Sequence, residues 1–345
     1  MIHFDATKAQ RAGHQSGLVR VSSRLLQELG EAATAVSWTP ALPSRLKRED
    51  WFVTPELFDE GERPGFGAFL RSGACRTAAI YHDAIPLRHP EWTWPRSVER
   101  HPGYMELLAG FDLVLAVSEA SRAELLAYWR WMGVARVPPV EVLPLGADFD
   151  GAARGGRARR SAGAGSGRTL ALLCVGIIEP RKDQVFLAES CVSLWTAGLS
   201  LDLHLAGRVN PHFGKVMDKR LRALARVHQG LRLHHSPSDK QLAELYAKAD
   251  ALVLPSRAEG CGLPLLEALW RGVPCIASDL PALRENAAAG GCRLVPSGDK
   301  KAWEAALAEV VTNPAMLGQL EEAARIRPLC DWRTSAACLL ELLAR

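Results

Sequence analysis

The sequence predicts an α/β protein with two doubly wound parallel sheets, and three observations support this. The chain has 345 residues, more than the roughly 100 to 200 of a typical single domain. Its second half alternates short, continuous apolar runs with segments of helical periodicity, which is typical of parallel strands buried on both faces. A Gly- and Arg-rich stretch at 151–168 has no apolar periodicity and is interpreted as a linker or exposed loop. We therefore expect domains at 1–150 and 169–325.

The strands can be placed in order along the chain. In the first half the candidates are MIHFDA, TAVSW, TAAIYHD, DLVLAVS and VEVLPLG. In the second half they are TLALLCVGII, LDLHLAGRV, LRLHHS, ALVLPS, VPCIAS and CRLVPS. Among the helices between them, SGLVRVSSRLLQELG and SRAELLAYWRWMG are the clearest in the first half, and Ser121 with Glu124 fits a Ser-x-x-Glu capping box.

Composition narrows the class of protein. A hydrophobic fraction of 48%, a charged fraction of 23% and a formal net charge of +4 exclude a largely disordered chain and disfavour one that coats nucleic acid. The eight cysteines form no CxxC pair and no zinc-type spacing with histidine. The N-terminus does not resemble a signal peptide, and no apolar run approaches about 18 residues. We expect a cytoplasmic protein with free thiols.

The stretch RAEGCGLPLLEALWRGVPC, from Arg257 to Cys275, predicts an anion-binding loop. It follows a strand, its glycines at 260 and 262 allow close backbone approach, and Pro264 suits the start of a helix. Two acids flank this turn, Glu259 in the loop and Glu267 one turn into the helix. Glu267 could simply favour the positive end of the helix dipole, whereas both acids together can hydrogen-bond the hydroxyls of a sugar and a ribose.

This segment, with its Glu-x7-Glu spacing, resembles the signature region of retaining glycosyltransferases of family 4. The resemblance implies a GT-B fold, in which two Rossmann-like domains face each other across a cleft, with a C-terminal helix at 326–345 that packs back on the first domain. It implies that Glu259 contacts the transferred sugar and Glu267 the ribose. The backbone at Gly260, Cys261, Gly262 and Leu263 would line the sugar and diphosphate site, and Cys261 departs from the aromatic residue more common there.

A second motif, VGIIEPRKDQ, follows the first strand of the second domain. Gly176 removes the steric restriction on the turn. Arg181 and Lys182 begin the next helix, where cations are unfavourable unless an anion lies near them. In the family, the basic pair of a similar segment neutralises the leaving diphosphate. Arg181 and Lys182 would then stabilise its departure without a metal. The alternative is a pair of solvated surface cations.

Two segments of the first half also match the family. IYHDAIP places His82 after a strand, where the resemblance implies a position near the anomeric carbon and the 6-hydroxyl of the sugar. Asp83 could orient His82 or cap the loop. In HQSGLVRV, Gly17 starts a helix and Arg20 matches a family arginine, which suits a helix N-terminus near phosphate.

Further donor contacts are implied in the second domain. Gly207 and Arg208 end its second strand, and His235 and Ser236 end its third, where similar enzymes approach the diphosphate and the base. The sequence also contains Asp148 and Asp150 in an Asp-x-Asp pattern that binds metal in another glycosyltransferase class. We interpret this pattern as structural and expect no metal and no cofactor.

The resemblance implies a metal-independent, retaining transfer of a hexose from a nucleoside-diphosphate sugar to a hydroxyl of a glycan or lipid-linked acceptor. The donor is expected to be GDP- or UDP-linked, with a lean towards mannose, and Trp92 and Trp94 could stack an acceptor sugar or simply pack. A catalytically weak nucleotide-sugar-binding partner subunit and a nucleotide-sugar epimerase of the same architecture are the alternatives. Association with the inner face of the membrane is a further expectation that the residues leave open.

Overall fold

The computed structural model describes residues 1–11, 16–155 and 169–345. The chain divides into two compact units. Unit 1 comprises Met1–Phe149 and Cys330–Arg345, and unit 2 comprises Asp150–Leu329. Each unit contains one six-stranded sheet in which the neighbouring strands are parallel, which confirms the predicted α/β class. Most of the predicted linker, residues 156–168, lies outside the described residues.

The sheet of unit 1 has the strand order β2-β1-β3-β4-β5-β6. Its strands are β1 (Ile2–Asp5), β2 (Ala33–Val36), β3 (Trp51–Thr54), β4 (Arg76–Tyr81), β5 (Leu113–Ala116) and β6 (Val140–Val142). All four residues of β3 and of β5 are buried, as expected for strands covered on both faces. The sequence did not predict β3.

The helices of unit 1 that precede β6 pack on this sheet. They are α1 (Gly17–Leu29), α2 (Phe66–Ser72), α3 (Ile85–Arg88), α4 (Pro95–Leu108) and α5 (Glu119–Met132). The predicted cap of α5 is wrong: the Oγ of Ser118 accepts from the N–H of Ser121. Ser121 instead lies in the first turn and donates its hydroxyl to the carbonyl of His82 at 2.7 Å, so it ties the helix to the end of β4.

The sheet of unit 2 has the strand order β12-β11-β10-β7-β8-β9. Its strands are β7 (Leu170–Val175), β8 (Leu201–Gly207), β9 (Leu231–His235), β10 (Ala251–Leu254), β11 (Cys275–Ser278) and β12 (Cys292–Val295). All six fall within the predicted apolar runs. Within the unit this is the order of a Rossmann fold, whose strand sequence reverses between β7 and β10.

Unit 2 has seven α-helices among its described residues. They are α6 (Gln184–Thr196), α7 (Gly214–Val227), α8 (Asp239–Lys248), α9 (Leu263–Trp270), α10 (Pro281–Ala287), α11 (Lys300–Thr312) and α12 (Pro314–Ile326). The last helix, α13 (Trp332–Ala344), belongs to unit 1. It docks there because Gly146 has no side chain: a Cβ atom at Gly146 would lie 2.4 Å from the ring of Trp332.

All eight cysteines are free thiols. Across the described residues, the helices are all too short or too polar to span a membrane.

Candidate functional site

The candidate site of unit 2 lies where its strand order reverses. Ligands of open α/β sheets bind beyond the carboxyl ends of the strands at this point. The loops that follow β7 and β10 meet here, since the N–H of Arg257 donates to the carbonyl of Arg181 at 2.8 Å. The topology of unit 2 therefore brings together the two predicted motifs, although Lys182 and Glu259 lie 77 positions apart in the sequence.

A buried ion pair joins these two loops. The Nζ of Lys182 lies 2.5 Å from Oε1 of Glu259, and the two side chains are 8% and 6% exposed. The hydroxyl of Ser256 donates to the same oxygen at 2.6 Å. Arg181 lies 3.5 Å from Oε2 of Glu259 and 2.8 Å from Glu179. The two cations are thus paired with carboxylates of the protein itself, and the solvated-cation alternative is wrong for Lys182.

The charge state of Glu259 follows from these contacts. Burial alone would raise the pKa of Glu259, but the charges of Lys182 and Arg181 and the hydrogen bonds from Lys182 and Ser256 outweigh it. The pKa of Glu259 therefore lies below its ordinary value. The carboxylate is ionised at neutral pH and can accept hydrogen bonds from sugar hydroxyls.

Close backbone approach holds the ends of β7 and β8 together. A Cβ atom at Gly207 would lie 1.9 Å from the carbonyl oxygen of Gly176, so only glycine fits at 207. The N–H of Ile178 donates to the carbonyl of Arg208 at 2.8 Å. The guanidinium of Arg208 has no hydrogen-bond or ion-pair partner within 1–11, 16–155 and 169–345. Arg208 thus directly follows Gly207 in the chain, and its guanidinium is unpaired among the described residues.

The second acid, Glu267, lies in α9 and is 2% exposed. Its Oε2 accepts from the hydroxyl of Tyr246 at 2.9 Å. This contact uses one lone pair of the carboxylate. The helix-dipole interpretation applies to an acid in the first turn of a helix, whereas Glu267 is buried in the middle of a short one. Tyr246 is a residue of this site that the sequence did not predict.

The turn before α9 requires glycine at position 262. Gly262 has φ 84° in the left-handed region, and no side chain of the described part of the chain caps the helix. The carbonyl of Cys261 accepts from Nδ2 of Asn286 at 2.6 Å, which fixes the backbone next to Gly260 and Leu263. Burial raises the pKa of the Cys261 thiol to about 12, so the thiol is neutral.

The end of β9 lies next to β8. The N–H of Ser236 donates to the carbonyl of Gly207 at 3.2 Å. Ser236 has φ 48°, which is unusual for a residue other than glycine. His235 contacts Asp218 at 2.6 Å. The predicted residues at 207, 235 and 236 therefore occupy neighbouring strand ends.

In unit 1, His82 follows β4. Its Nε2 lies 3.0 Å from the carbonyl oxygen of Pro55. Burial lowers the pKa of His82, and the hydrogen bond to Pro55 and the charge of Asp83 offset this only in part. The carboxylate of Asp83 accepts from the N–H of Ile85 at 3.0 Å, so it caps the turn into α3.

The other predicted residues of unit 1 lie at α1. The helix begins at Gly17, and the hydroxyl of Ser16 caps it by accepting from the N–H of Val19. The guanidinium of Arg20 lies 4.9 Å from the centroid of the Phe149 ring. The loop before this helix, residues 12–15, is outside the described residues.

The Asp-x-Asp pattern is engaged in contacts within each unit. Asp148 accepts from the N–H of Trp332 at 2.8 Å and from Arg24 at 3.1 Å, and Asp150 pairs with Arg271. The described ranges contain no group of three or more His, Cys, Asp or Glu that could hold a metal ion.

The sequence of unit 2 matches a known family. Residues 160–327 match the model described as glycosyl transferases group 1. Unit 2 carries a glycosyltransferase domain. This confirms the predicted enzyme class for the domain, whereas the assignment to family 4 and its Glu-x7-Glu motif stay predictions.

Curated relatives extend the similarity into unit 1. The chain is 29% identical over 311 residues to the serotype-specific mannosyltransferase WbdA of Escherichia coli, which covers 79% of this chain and 38% of the relative. It is 28% identical over 253 residues to a D-inositol 3-phosphate glycosyltransferase of Arthrobacter sp. (strain FB24), covering 72% of this chain and 59% of the relative. The chain thus spans well under half the length of the mannosyltransferase.

Solved structures show the same fold. Sucrose-phosphate synthase from Thermosynechococcus elongatus is similar with a TM-score of 0.72 and 16% identity, over 99% of this chain and 98% of that chain. A trehalose 6-phosphate synthase from Burkholderia multivorans has a TM-score of 0.63 at 13% identity, over 88% and 72% of the two chains. The likeness confirms the predicted two-domain α/β GT-B fold.

Proposed function

We propose that the chain is a glycosyltransferase that moves a hexose from a nucleoside-diphosphate sugar to a hydroxyl of a glycan or lipid-linked acceptor. The observation that supports this most directly is the buried Lys182–Glu259 pair at the reversal of strand order in unit 2, inside the matched domain. It places an ionised acid and fixed cations where open α/β sheets bind ligands.

The donor is assigned to unit 2. The diphosphate would lie against Arg208, the backbone at Gly176 and Gly207, and the N-terminus of α9, where unpaired N–H groups and the helix dipole favour an anion. The buried carboxylate of Glu267, which accepts from Tyr246, would also accept from the ribose hydroxyls, because an ionised carboxylate can accept several hydrogen bonds. The base would lie near His235 and Ser236.

The reaction proposed is a retaining, metal-independent transfer. Arg181, Lys182 and Arg208 would stabilise the charge that develops on the leaving diphosphate, which is the task of preorganised cations in a transition state. Glu259 would orient the sugar by accepting from its hydroxyls. Its two oxygens already face Lys182, Arg181 and Ser256, so positioning suits it better than nucleophilic attack. The acceptor would be deprotonated by the departing phosphate on the same face.

The donor sugar is proposed to be mannose, linked to GDP in the first instance and to UDP as the alternative. This rests on the printed function of the WbdA relatives, which are mannosyltransferases. Polysaccharide biosynthesis is the corresponding cellular role.

A cytoplasmic location is proposed because all eight cysteines are free, as expected in a reducing compartment. Peripheral attachment to an anionic membrane surface is supported by the end of α5. Trp131 is 78% exposed and Val137 is 44% exposed, and the exposed Arg130 and Arg136 lie beside them in sequence. Exposed aromatic and cationic side chains together favour a lipid interface.

The decisive experiment is a donor screen on the purified chain. A bound ligand raises the melting temperature by mass action, so GDP-mannose, GDP, UDP-glucose, UDP and dTDP are compared at equal concentration. We expect GDP-mannose to give the largest shift and turnover with an acceptor to persist in EDTA. If none of these nucleotides moves the melting temperature, the proposed function is wrong. Epimer formation without acceptor would establish the epimerase alternative.

A further inference from the structure

Unit 1 contains a buried charged cluster that none of the sequence motifs includes. Its members are Asp5 at the end of β1, Thr54 at the end of β3, Glu56 just beyond it, and Arg63. Their exposures are 0%, 1%, 6% and 2%. In the strand order of unit 1, β1 and β3 are neighbours where the order reverses, and this is the position at which such sheets bind ligands.

Arg63 bridges the two carboxylates of this cluster. Its Nη1 donates to Oδ2 of Asp5 at 2.5 Å, and its Nη2 pairs with Oε2 of Glu56. The planar guanidinium can hold two acceptors in fixed directions, which lysine cannot. The ring of Phe58 lies 3.7 Å below the guanidinium. Because every member is buried, the positions of the two acids depend on Arg63.

The cluster fixes two backbone segments. Glu56 accepts from the N–H groups of Lys8 and Ala9 at 2.5 and 3.0 Å, so it holds the loop after β1. The hydroxyl of Thr54 donates to Asp5 at 2.6 Å and accepts from the N–H of Glu56 at 3.3 Å. The peptide unit between Pro55 and Glu56 is therefore held through its N–H.

The other end of that same peptide unit holds His82. The carbonyl of Pro55 accepts from Nε2 of His82 at 3.0 Å. A carbonyl can only accept, so the proton must be on Nε2. Nδ1 of His82 has no hydrogen-bond partner within the described parts of the chain. In the neutral ring Nδ1 is then a lone-pair acceptor, available to a hydroxyl of a bound molecule.

We propose that Thr54, fixed by Asp5 and Arg63, is a positioning residue that sets the orientation and tautomer of His82 through the peptide unit between Pro55 and Glu56. His82 would then serve a substrate as a hydrogen-bond acceptor at Nδ1 and not as a proton donor. The contribution of this arrangement to turnover rests on the proposed function, whereas the tautomer does not.

The test uses Thr54→Val, which keeps the shape of the side chain and removes both hydrogen bonds of the hydroxyl. Thr77→Val is the matched control. Thr77 lies at the start of the neighbouring strand β4, is 3% exposed, and donates to Asp112 at 2.9 Å. It makes the same threonine-to-aspartate hydrogen bond, which is partly buried and involves neither Pro55 nor Glu56.

Nitrogen NMR of histidine-labelled protein without ligand reports the tautomer directly, and His82→Gln identifies the signal. We expect wild type and Thr77→Val to show His82 protonated at Nε2, and Thr54→Val to show a shifted or mixed signal. In the transfer reaction we expect kcat of Thr54→Val to fall about tenfold or more, as for a misplaced group near the reacting atoms, with nucleotide affinity within about twofold. Should Thr54→Val fold poorly, Glu56→Gln replaces it with the same expectation.

Each outcome has a distinct meaning. If the His82 signal and kcat of the Thr54→Val protein match those of Thr77→Val, the positioning role is refuted. If wild-type His82 carries its proton on Nδ1, the tautomer assignment is refuted. If the wild type binds no nucleotide sugar while the NMR expectations hold, the proposed function fails and the positioning of His82 stands.

Discussion

Gly207→Ala should force the ends of β7 and β8 apart. A Cβ atom at this position would lie 1.9 Å from the carbonyl oxygen and 2.6 Å from the carbonyl carbon of Gly176. A relaxed C···O contact is about 3.3 Å, so the ends of β7 and β8 would have to separate by about 1.4 Å. The obstacle is backbone, so no side-chain rotation can relieve it.

That separation breaks two hydrogen bonds. The N–H of Gly176 donates to Ala206 at 2.9 Å, and the N–H of Ile178 donates to Arg208 at 2.8 Å. Losing each costs about 1 kcal/mol, and overpacking adds about 1 to 3 kcal/mol. We expect the free energy of unfolding to fall by about 3 to 5 kcal/mol. Nucleotide affinity should fall with it, because the displaced segments include Gly176 and Arg208.

The assay is urea unfolding followed by tryptophan fluorescence and circular dichroism, with nucleotide titration of the folded protein. Gly318→Ala is the matched control in unit 2, since Gly318 lies in α12 and a Cβ atom there would meet nothing within 4 Å. Alanine in a helix gains up to about 1 kcal/mol over glycine. If Gly207→Ala unfolds within about 1 kcal/mol of the wild type, the backbone approach has been misjudged.

Three further predictions concern charge. Lys182→Met leaves the buried Glu259 with the hydrogen bond from Ser256 and with Arg181 at 3.5 Å, and should cost about 3 kcal/mol in urea unfolding. Arg284→Met, at an exposed pair with Asp279, should leave the free energy of unfolding nearly unchanged; equal losses would contradict the burial argument. Glu267→Gln should weaken nucleotide binding in calorimetry about tenfold with little change in kcat, and an unchanged Kd would remove Glu267 from the site. Burial and the charge of Asp5 raise the pKa of Glu56 to about 7. The charge of Arg63 and the hydrogen bonds from the N–H groups of Ala9 and Lys8 lower it, but by less. The folded state thus binds this proton more tightly than the unfolded chain, so stability should fall by about 3 kcal/mol between pH 4.5 and 7; the slope should vanish in Glu56→Gln, and a wild-type stability that is flat over this range would contradict the assignment.

The sequence predicts the sheet of unit 2 well because each of its strands is a continuous apolar run between helical segments. The prediction fails at β3, whose four residues follow the charged run RLKRED and are too few to show a period. The prediction also fails at the start of α5, because both Ser118 and Ser121 are residues of a type that can cap a helix. The cap is decided by a tertiary contact, since Ser121 donates to the carbonyl of His82.

The residues of the candidate site can be predicted from the sequence only where they belong to a local motif. Gly176, Gly207 and Glu259 stand in local patterns, so the residue types indicate their chemistry. The bond from Tyr246 to Glu267 joins residues 21 positions apart, and the contact between Arg63 and Asp5 joins residues 58 positions apart. No local pattern signals such pairs, because only the order of the strands brings them together.

Two cations of the candidate site in unit 2 are paired with carboxylates of the protein. Arg181 and Lys182 lie against Glu179 and Glu259, so the four groups are together close to neutral before any ligand binds. A diphosphate bound there, as proposed, would therefore share these cations with the protein's own carboxylates. Arg208, which has no such partner in the described parts of the chain, offers an uncompensated charge. On the proposed function, initial attraction of the donor would depend chiefly on Arg208 and the N-terminus of α9, because the field of a neutral cluster falls off steeply with distance. Lys182 and Arg181 would act once the sugar had displaced part of the contact to Glu259, so donor binding and alignment of the acid would be coupled.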